Sequence, residues 1–337
     1  MVKSKKVLVT GGAGFIGSWL VDELIERGHK VVTVDDLSGG YESNVNKKSK
    51  FIKADLRNRQ KVNTIFSEEK FDIVFHLAAY AAEGQSIFSP IEINDINLTP
   101  MNNLLVAAVN NNVQKFVFTS SMAVYGSQQP PFSEELLPMP EDPYGCGKAY
   151  CENMLKIFAH TYDFDFVIIR PHNVYGPRQN IADPFRNVLG IWINRIMKNK
   201  EPYIFGDGKQ ERAFSYIGDV APAIANAGLE SKANGETINV GSDEVTSIND
   251  ACQVVLKAMN SKLKPIYQDE RPGEVKFAYC SIEKSQKLLN YKTTTNLKKG
   301  IEIMVKWAKE VGPQEPTYRL PLEITKKAPH VWREKLV

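Results

Sequence analysis

The chain has 337 residues, 43% of them hydrophobic, which is enough for a large core and more than one typical domain requires. Its formal net charge is +3, with basic and acidic residues interspersed, so composition points away from nucleic acid and membrane surfaces and toward small soluble ligands. Four cysteines, Cys146, Cys151, Cys252 and Cys280, lack metal-ligand spacing, and neither a disulfide framework nor a bound metal is expected.

Met1-Val2-Lys3-Ser4-Lys5-Lys6 leads into strand-like Val7-Leu8-Val9 with no apolar leader, and no later segment is long enough to span a bilayer, so a cytoplasmic protein is expected. Short apolar runs at Lys6 to Thr10, Val31 to Val34, Phe71 to Leu77, Phe116 to Thr119 and Phe166 to Ile169 read as buried strands separated by helical patterns. That alternation predicts an α/β fold with a Rossmann-type, doubly wound parallel sheet. After Arg170-Pro171 the rhythm changes to turns, a helix around Phe185 to Lys198, a polar Gly206-Asp207-Gly208 turn, and helices near Ile248 to Met259 and Leu297 to Val311. Residues 1–170 are read as the dinucleotide-binding domain, with a returning segment near 213–245, and residues 171–337 as a smaller α/β lobe plus a tail. Gly312 to Val337 is charged and punctuated by proline, with Trp332 as its main apolar anchor, and its pattern implies no function.

The first strand runs into Gly11-Gly12-Ala13-Gly14-Phe15-Ile16-Gly17 and then a helical pattern, the context that a bare glycine motif lacks. Glycines let backbone approach a pyrophosphate, whose charge meets amide groups and the helix N-terminus. Gly11, Gly14, Phe15, Ile16 and Gly17 are therefore the expected cofactor contacts. Asp35 stands 18 residues beyond Gly17 at the end of the next strand, placed to accept from a ribose 2′-hydroxyl and to repel a 2′-phosphate, which favours NAD over NADP. Asp36 adjoins it. Asp55-Leu56, after Phe51-Ile52-Lys53, is expected along the adenine, with a helix N-cap as the alternative for Asp55.

Tyr144 and Lys148 are spaced i, i+4, so a helix presents both on one face, where an ammonium, together with the positive nicotinamide, can stabilise a phenolate and fit it as a general base. Ser121 follows the strand Phe116 to Thr119, where a parallel sheet presents its ligands, and can hydrogen-bond the oxygen that Tyr144 deprotonates. Ser121, Tyr144 and Lys148 form the candidate catalytic set.

With glycine turn, acidic residue, serine and Tyr-x-x-x-Lys in this order, the chain resembles the extended short-chain dehydrogenase/reductase family to about Val311. Within its NAD-dependent sugar epimerase/dehydratase group it looks most like the UDP-glucose (UDP-galactose) 4-epimerases, on His76-Leu77-Ala78-Ala79, Asn97, Arg170-Pro171-His172-Asn173-Val174-Tyr175-Gly176-Pro177-Arg178 and Gly206-Asp207-Gly208-Lys209-Gln210-Glu211-Arg212. The resemblance implies that Leu77, Ala78, Ala79, Asn97 and His172, with Tyr144 and Lys148, contact NAD. It implies that Asn173, Asn187, Val188, Arg212 and Arg271 hold the substrate's nucleotide diphosphate, with Ser121, Tyr144, Tyr203, Phe205 and Ala278 also lining the substrate pocket. The implied reaction is 4-epimerisation of a UDP-sugar through a transient 4-keto sugar, with NAD regenerated in each turnover.

Met122 and Ala123 stand where related dehydratases and decarboxylases carry acidic residues, which disfavours elimination. The same segment lacks the cysteine of GDP-mannose 3,5-epimerases. UDP-glucuronate is a further alternative, against which Glu83 counts, since a second carboxylate is out of place beside a hexuronate. Ala278 falls where a bulky tyrosine restricts related enzymes to glucose, so N-acetylhexosamines are expected to fit. A non-catalytic NAD sensor is the reading from another class, and the intact proton relay speaks against it. Helices around Asn97 to Val109 and Tyr144 to Thr161 resemble the family's dimer bundle, which implies a homodimer.

Overall fold

A computed structural model describes residues 4–337; Met1 to Lys3, part of the stretch read as leading into the first strand, lie outside the described residues. Six strands of the central sheet come from the first half: β1 (Lys6–Thr10), β2 (Lys30–Asp35), β3 (Lys50–Lys53), β4 (Ile73–His76), β5 (Lys115–Thr119) and β6 (Asp165–Pro171). The strand Glu236–Val240 completes it beside β6, and the order across the sheet is that strand, β6, β5, β4, β1, β2, β3, all parallel. The connecting helices are α1 (Phe15–Glu26), α2 (Arg59–Glu69), α3 (Glu83–Ser86), α4 (Pro90–Asn110) and α5 (Pro143–Tyr162), followed by α6 (Val188–Met197) and α7 (Ile217–Leu229).

Alternation along the strands divides the core in two. Val7 and Val9 of β1 face α1 and α7 in one buried cluster, whereas Leu8 between them joins α2, α4 and α5 in the other. The chain order reverses between β1 and β4, so a crevice opens at the carboxyl ends of these neighbours, where doubly wound sheets bind ligands.

A third cluster builds the second lobe from α6, Ile248–Ala258 and Leu297–Val311 around the fully buried Trp192. The helix expected from Phe185 starts at Val188. Asn187 sits at φ 50° and caps α6 by accepting from the Leu189 amide at 3.2 Å, so Phe185 and Arg186 stay in the preceding loop. Among the described residues no helix is long and apolar enough to cross a membrane.

The tail crosses from one lobe to the other. Thr317 N donates to Ala182 O, Gln85 Nε2 to Leu320 O and Ser89 Oγ to Pro321 O, while the Glu323 carboxylate accepts from the Ile91 and Glu92 amides at the start of α4. Trp332 ends edge-on to Phe88, Phe185 and Phe205 in a fourth apolar cluster.

Candidate active site

One cavity of about 790 Å³ runs between the lobes, from the glycine turn to the arginines of the second lobe. At one end lies the start of α1, which no side chain caps, leaving its amides free for an anion. Gly11 takes φ 69°, and a β-carbon on Gly17 would come within 2.1 Å of Gly11 O, so only glycine permits so tight a cradle. Asp35 borders the same end; its carboxylate accepts from the Ala13 amide at 3.0 Å and the Leu37 amide at 2.8 Å, keeping lone pairs for a ribose hydroxyl. Phe15, Ile16, Asp36, Asp55, Leu56, Leu77, Ala78 and Ala79 line this end too. Residues of these types in this cradle fit a dinucleotide.

Two of the expected cofactor contacts do not reach the cavity. Asn97 is buried in α4 and exchanges two hydrogen bonds with the Tyr80 backbone, so it positions the loop after β4. His172 is fully buried with its ring against Gly241, and burial pushes its pKa down to about 3, which keeps it neutral; its neighbours Pro171 and Asn173 line the cavity in its place.

Ser121, Tyr144 and Lys148 meet in mid-cavity. Asp142 caps α5 by accepting from the Gly145 amide at 2.9 Å, which starts the helix at Pro143 and projects Tyr144 and Lys148 from one face. Lys148 Nζ donates to Thr119 O at 2.9 Å and stands 5.7 Å from the centre of the Tyr144 ring. Ser121 Oγ accepts from the Ala123 amide at 3.1 Å.

The electrostatics differ from the sequence-based expectation of a lowered tyrosine. Burial pushes the Tyr144 phenol up, the Ser121 hydrogen bond opposes this, and the Glu83 and Asp142 charges add to the rise. Burial also pushes Lys148 down to about 8. Desolvation dominates both shifts, and the polypeptide by itself holds the phenol protonated.

At the far end Arg212 and Arg271 line the cavity as expected, but they share one carboxylate, which the sequence-based expectation left out. Arg212 donates to Glu274 Oε1 at 2.9 Å and Arg271 Nε to Glu274 Oε2 at 2.8 Å, so the cluster carries one net positive charge rather than two. Asn173, Asn187, Val188, Tyr203, Phe205 and the buried Ala278 complete this wall. Asn187 turns its amide inward to Val174 O at 2.7 Å, leaving little of it for a ligand.

Sequence reasoning missed Arg186, Glu274, Arg319 and Trp332, all of which line the cavity. Arg319 and Trp332 belong to the tail, and nothing local to them marks a site more than 170 residues downstream of Tyr144. Glu83 was noted, and the structure sharpens it. Ser86 ties α3 to α5 through hydrogen bonds to Asp142 and the Tyr144 amide, each at 3.1 Å, so Glu83 faces the catalytic set. Its carboxylate opens to the cavity while the walls desolvate it, pushing its pKa up to about 7, first by burial and then by the charge of Asp142. Among the described residues no group of three or more His, Cys, Asp or Glu is placed to hold a metal ion.

The model of the NAD dependent epimerase/dehydratase family matches residues 7–241. The chain belongs to that family. It is 37% identical over 308 residues to a putative UDP-glucose 4-epimerase of Methanocaldococcus jannaschii, covering 90% of this chain and 98% of that protein. It is 34% identical to a UDP-glucuronate 4-epimerase of Thermodesulfobacterium geofontis, covering 90% of this chain and 96% of that one. The crystal structure of Thermus thermophilus UDP-glucose 4-epimerase in complex with NAD superposes with a TM-score of 0.85 at 32% identity, over 90% of this chain and 98% of that one. The fold is thus the family's Rossmann-like sheet with flanking helices, and NAD is the cofactor.

Proposed function

We propose that this family member is a nucleotide-sugar 4-epimerase that interconverts UDP-glucose and UDP-galactose. The observation that carries the reading is the convergence of Ser121, Tyr144 and Lys148 between a dinucleotide cradle and a cationic end formed by Arg212 and Arg271. With Lys148 and the positive nicotinamide of bound NAD together favouring its phenolate, Tyr144 would take the proton of the sugar 4-hydroxyl while Ser121 holds that oxygen. Bound NAD supplies the hydride acceptor and donor. Met122 and Ala123 place no acid or base next to Ser121, which disfavours elimination from the keto sugar.

Two further residues shape the sugar preference. Glu83 puts a carboxylate in the catalytic cavity, which disfavours a uronic acid, and Ala278 leaves room for a 2-acetamido group. The helix α5 exposes Tyr150, Ile157 and Tyr162, and we infer that these cover a homodimer interface with α4. The direct test is incubation with UDP-galactose. UDP-glucose should form with wild type and fall by about 10²- to 10⁴-fold with Tyr144→Phe, the range of general acid–base contributions. Absence of conversion by wild-type protein carrying NAD would favour the sensor reading. An unchanged ratio of N-acetylhexosamine to hexose turnover in Ala278→Tyr would remove the assignment of the acetamido pocket.

A further inference from the structure

Two guanidinium groups meet at the cofactor end of the cleft, and one comes from the tail. Arg186 lies 5.2 Å and Arg319 5.0 Å from the centre of the Tyr80 ring. Both reach Gly39 in the loop after β2. A β-carbon there would come within 2.1 Å of one Arg319 nitrogen and 3.6 Å of an Arg186 nitrogen. That loop rests on the glycine turn: a β-carbon on Gly40 would meet the Ala13 and Gly14 backbone at 2.6–2.9 Å, and the Tyr41 amide donates to Ala13 O at 3.1 Å. The pair therefore stands beside the uncapped start of α1.

The two guanidinium groups are not equally paired. Arg186 Nε is matched by Asp183 at 2.8 Å, whereas Arg319 makes no salt bridge among the described residues. Asp35 and Asp36 are the other nearby carboxylates, and both are engaged by the backbone amides of their own loop. Burial and the neighbouring Arg186 together press against the charge of Arg319. Of the two adjacent cations only Arg186 has a carboxylate in direct contact, so the Arg319 fork is the one left to receive an anion. The position of Arg319 is also not that of a loose side chain, because Thr317, Leu320 and Pro321 on either side of it are hydrogen-bonded to the body of the protein.

We propose that Arg319, with Arg186, binds a diphosphate at this end of the cavity, which makes the C-terminal segment part of the binding machinery. Guanidinium forks match phosphate oxygens in pairs, and a diphosphate offers oxygens to both arginines at once. The site's proximity to the glycine turn assigns it to the pyrophosphate of the cofactor rather than to the diphosphate of the substrate, which Arg212 and Arg271 face. The inference rests on the family's NAD dependence and not on the choice of sugar.

The test measures NAD retained per chain after purification, and calorimetric affinities for NAD and for UDP separately, in wild type, Arg319→Met and Arg319→Lys. Met keeps a long apolar stem to pack against Tyr80, so the tail stays docked, and intrinsic Trp332 fluorescence reports that docking. The expected result is a fall of about tenfold in NAD affinity for Arg319→Met, equivalent to ~1.4 kcal/mol, with UDP affinity unchanged and partial recovery in Arg319→Lys. A fall in UDP affinity with NAD affinity unchanged would overturn the assignment to the cofactor. Unchanged affinity for both in a docked tail would overturn the site itself.

Discussion

Glu83 shows most plainly how one residue constrains this site. It combines a cavity position, two arginines and Asp142 nearby, and a pKa pushed up to about 7. Because burial raises it, the carboxyl is neutral below that pH and ionised above it. An ionised Glu83 repels a sugar carboxylate, so kcat/KM for UDP-glucuronate relative to UDP-glucose should rise as pH falls from 8 to 6. In Glu83→Gln that slope should flatten, with relative uronate turnover at pH 8 raised about tenfold, a modest share of the repulsion between unit charges a few ångströms apart. Parallel pH profiles for the two substrates check this. Residue-scale chemistry such as Ser121, Tyr144, Lys148 and Asp35 was legible in the sequence because each sits at a fixed offset from a strand end or within one helical turn. Glu274 was not legible as a partner of Arg212, 62 residues away, because only the strand pairing of Ala278 with Arg212 brings the two segments together.

At the scale of elements, the junction of β5, α5 and β6 is held by a buried polar network. Arg170 on β6 donates to both oxygens of Glu152 on α5, at 2.8 and 2.6 Å, while Ser120 donates to the same carboxylate at 2.6 Å and the Arg170 guanidinium stacks 4.7 Å from the Tyr125 ring. Both charged side chains are almost fully buried. Removing one leaves the other desolvated and unpaired, so Arg170→Met should cost about 3–5 kcal/mol, and Arg170→Met with Glu152→Leu should recover much of the loss. Urea unfolding of the two variants measures it. The strands of the first half are legible within a residue or two because buried parallel strands are short apolar runs, whereas Glu236–Val240 is legible only as part of a returning segment near 213–245. The start of α6 lies three residues past Phe185 because Asn187 takes a positive φ, caps the helix and hydrogen-bonds Val174 O, which breaks the helix there.

For the whole molecule, the cleft links two lobes and a strap, so a ligand that bridges them should stabilise the fold. UDP at about 100 times its dissociation constant should add ~2.7 kcal/mol to the unfolding free energy. Arg271→Ala should lose most of that gain at the same UDP concentration, because the second lobe's cationic end then keeps only Arg212. Thermal or urea unfolding with and without UDP is the check, and an equal gain in the variant would show that the nucleotide is held elsewhere.

The amino-acid sequence by itself determined the parallel sheet, the glycine turn with its acidic partner, and the proton relay, because each depends on contacts within one βαβ unit or one helical turn. Tertiary structure alone decided what surrounds them. Burial, not the local ammonium, sets the state of Tyr144; Glu274 halves the charge of the arginine pair; Asn97 and His172 turn out to support the walls. The tail looked functionless along the chain and yet carries Arg319 and Trp332 into the cavity, because its path is fixed by hydrogen bonds to Gln85, Ser89 and Ala182, partners that no spacing within Gly312 to Val337 encodes.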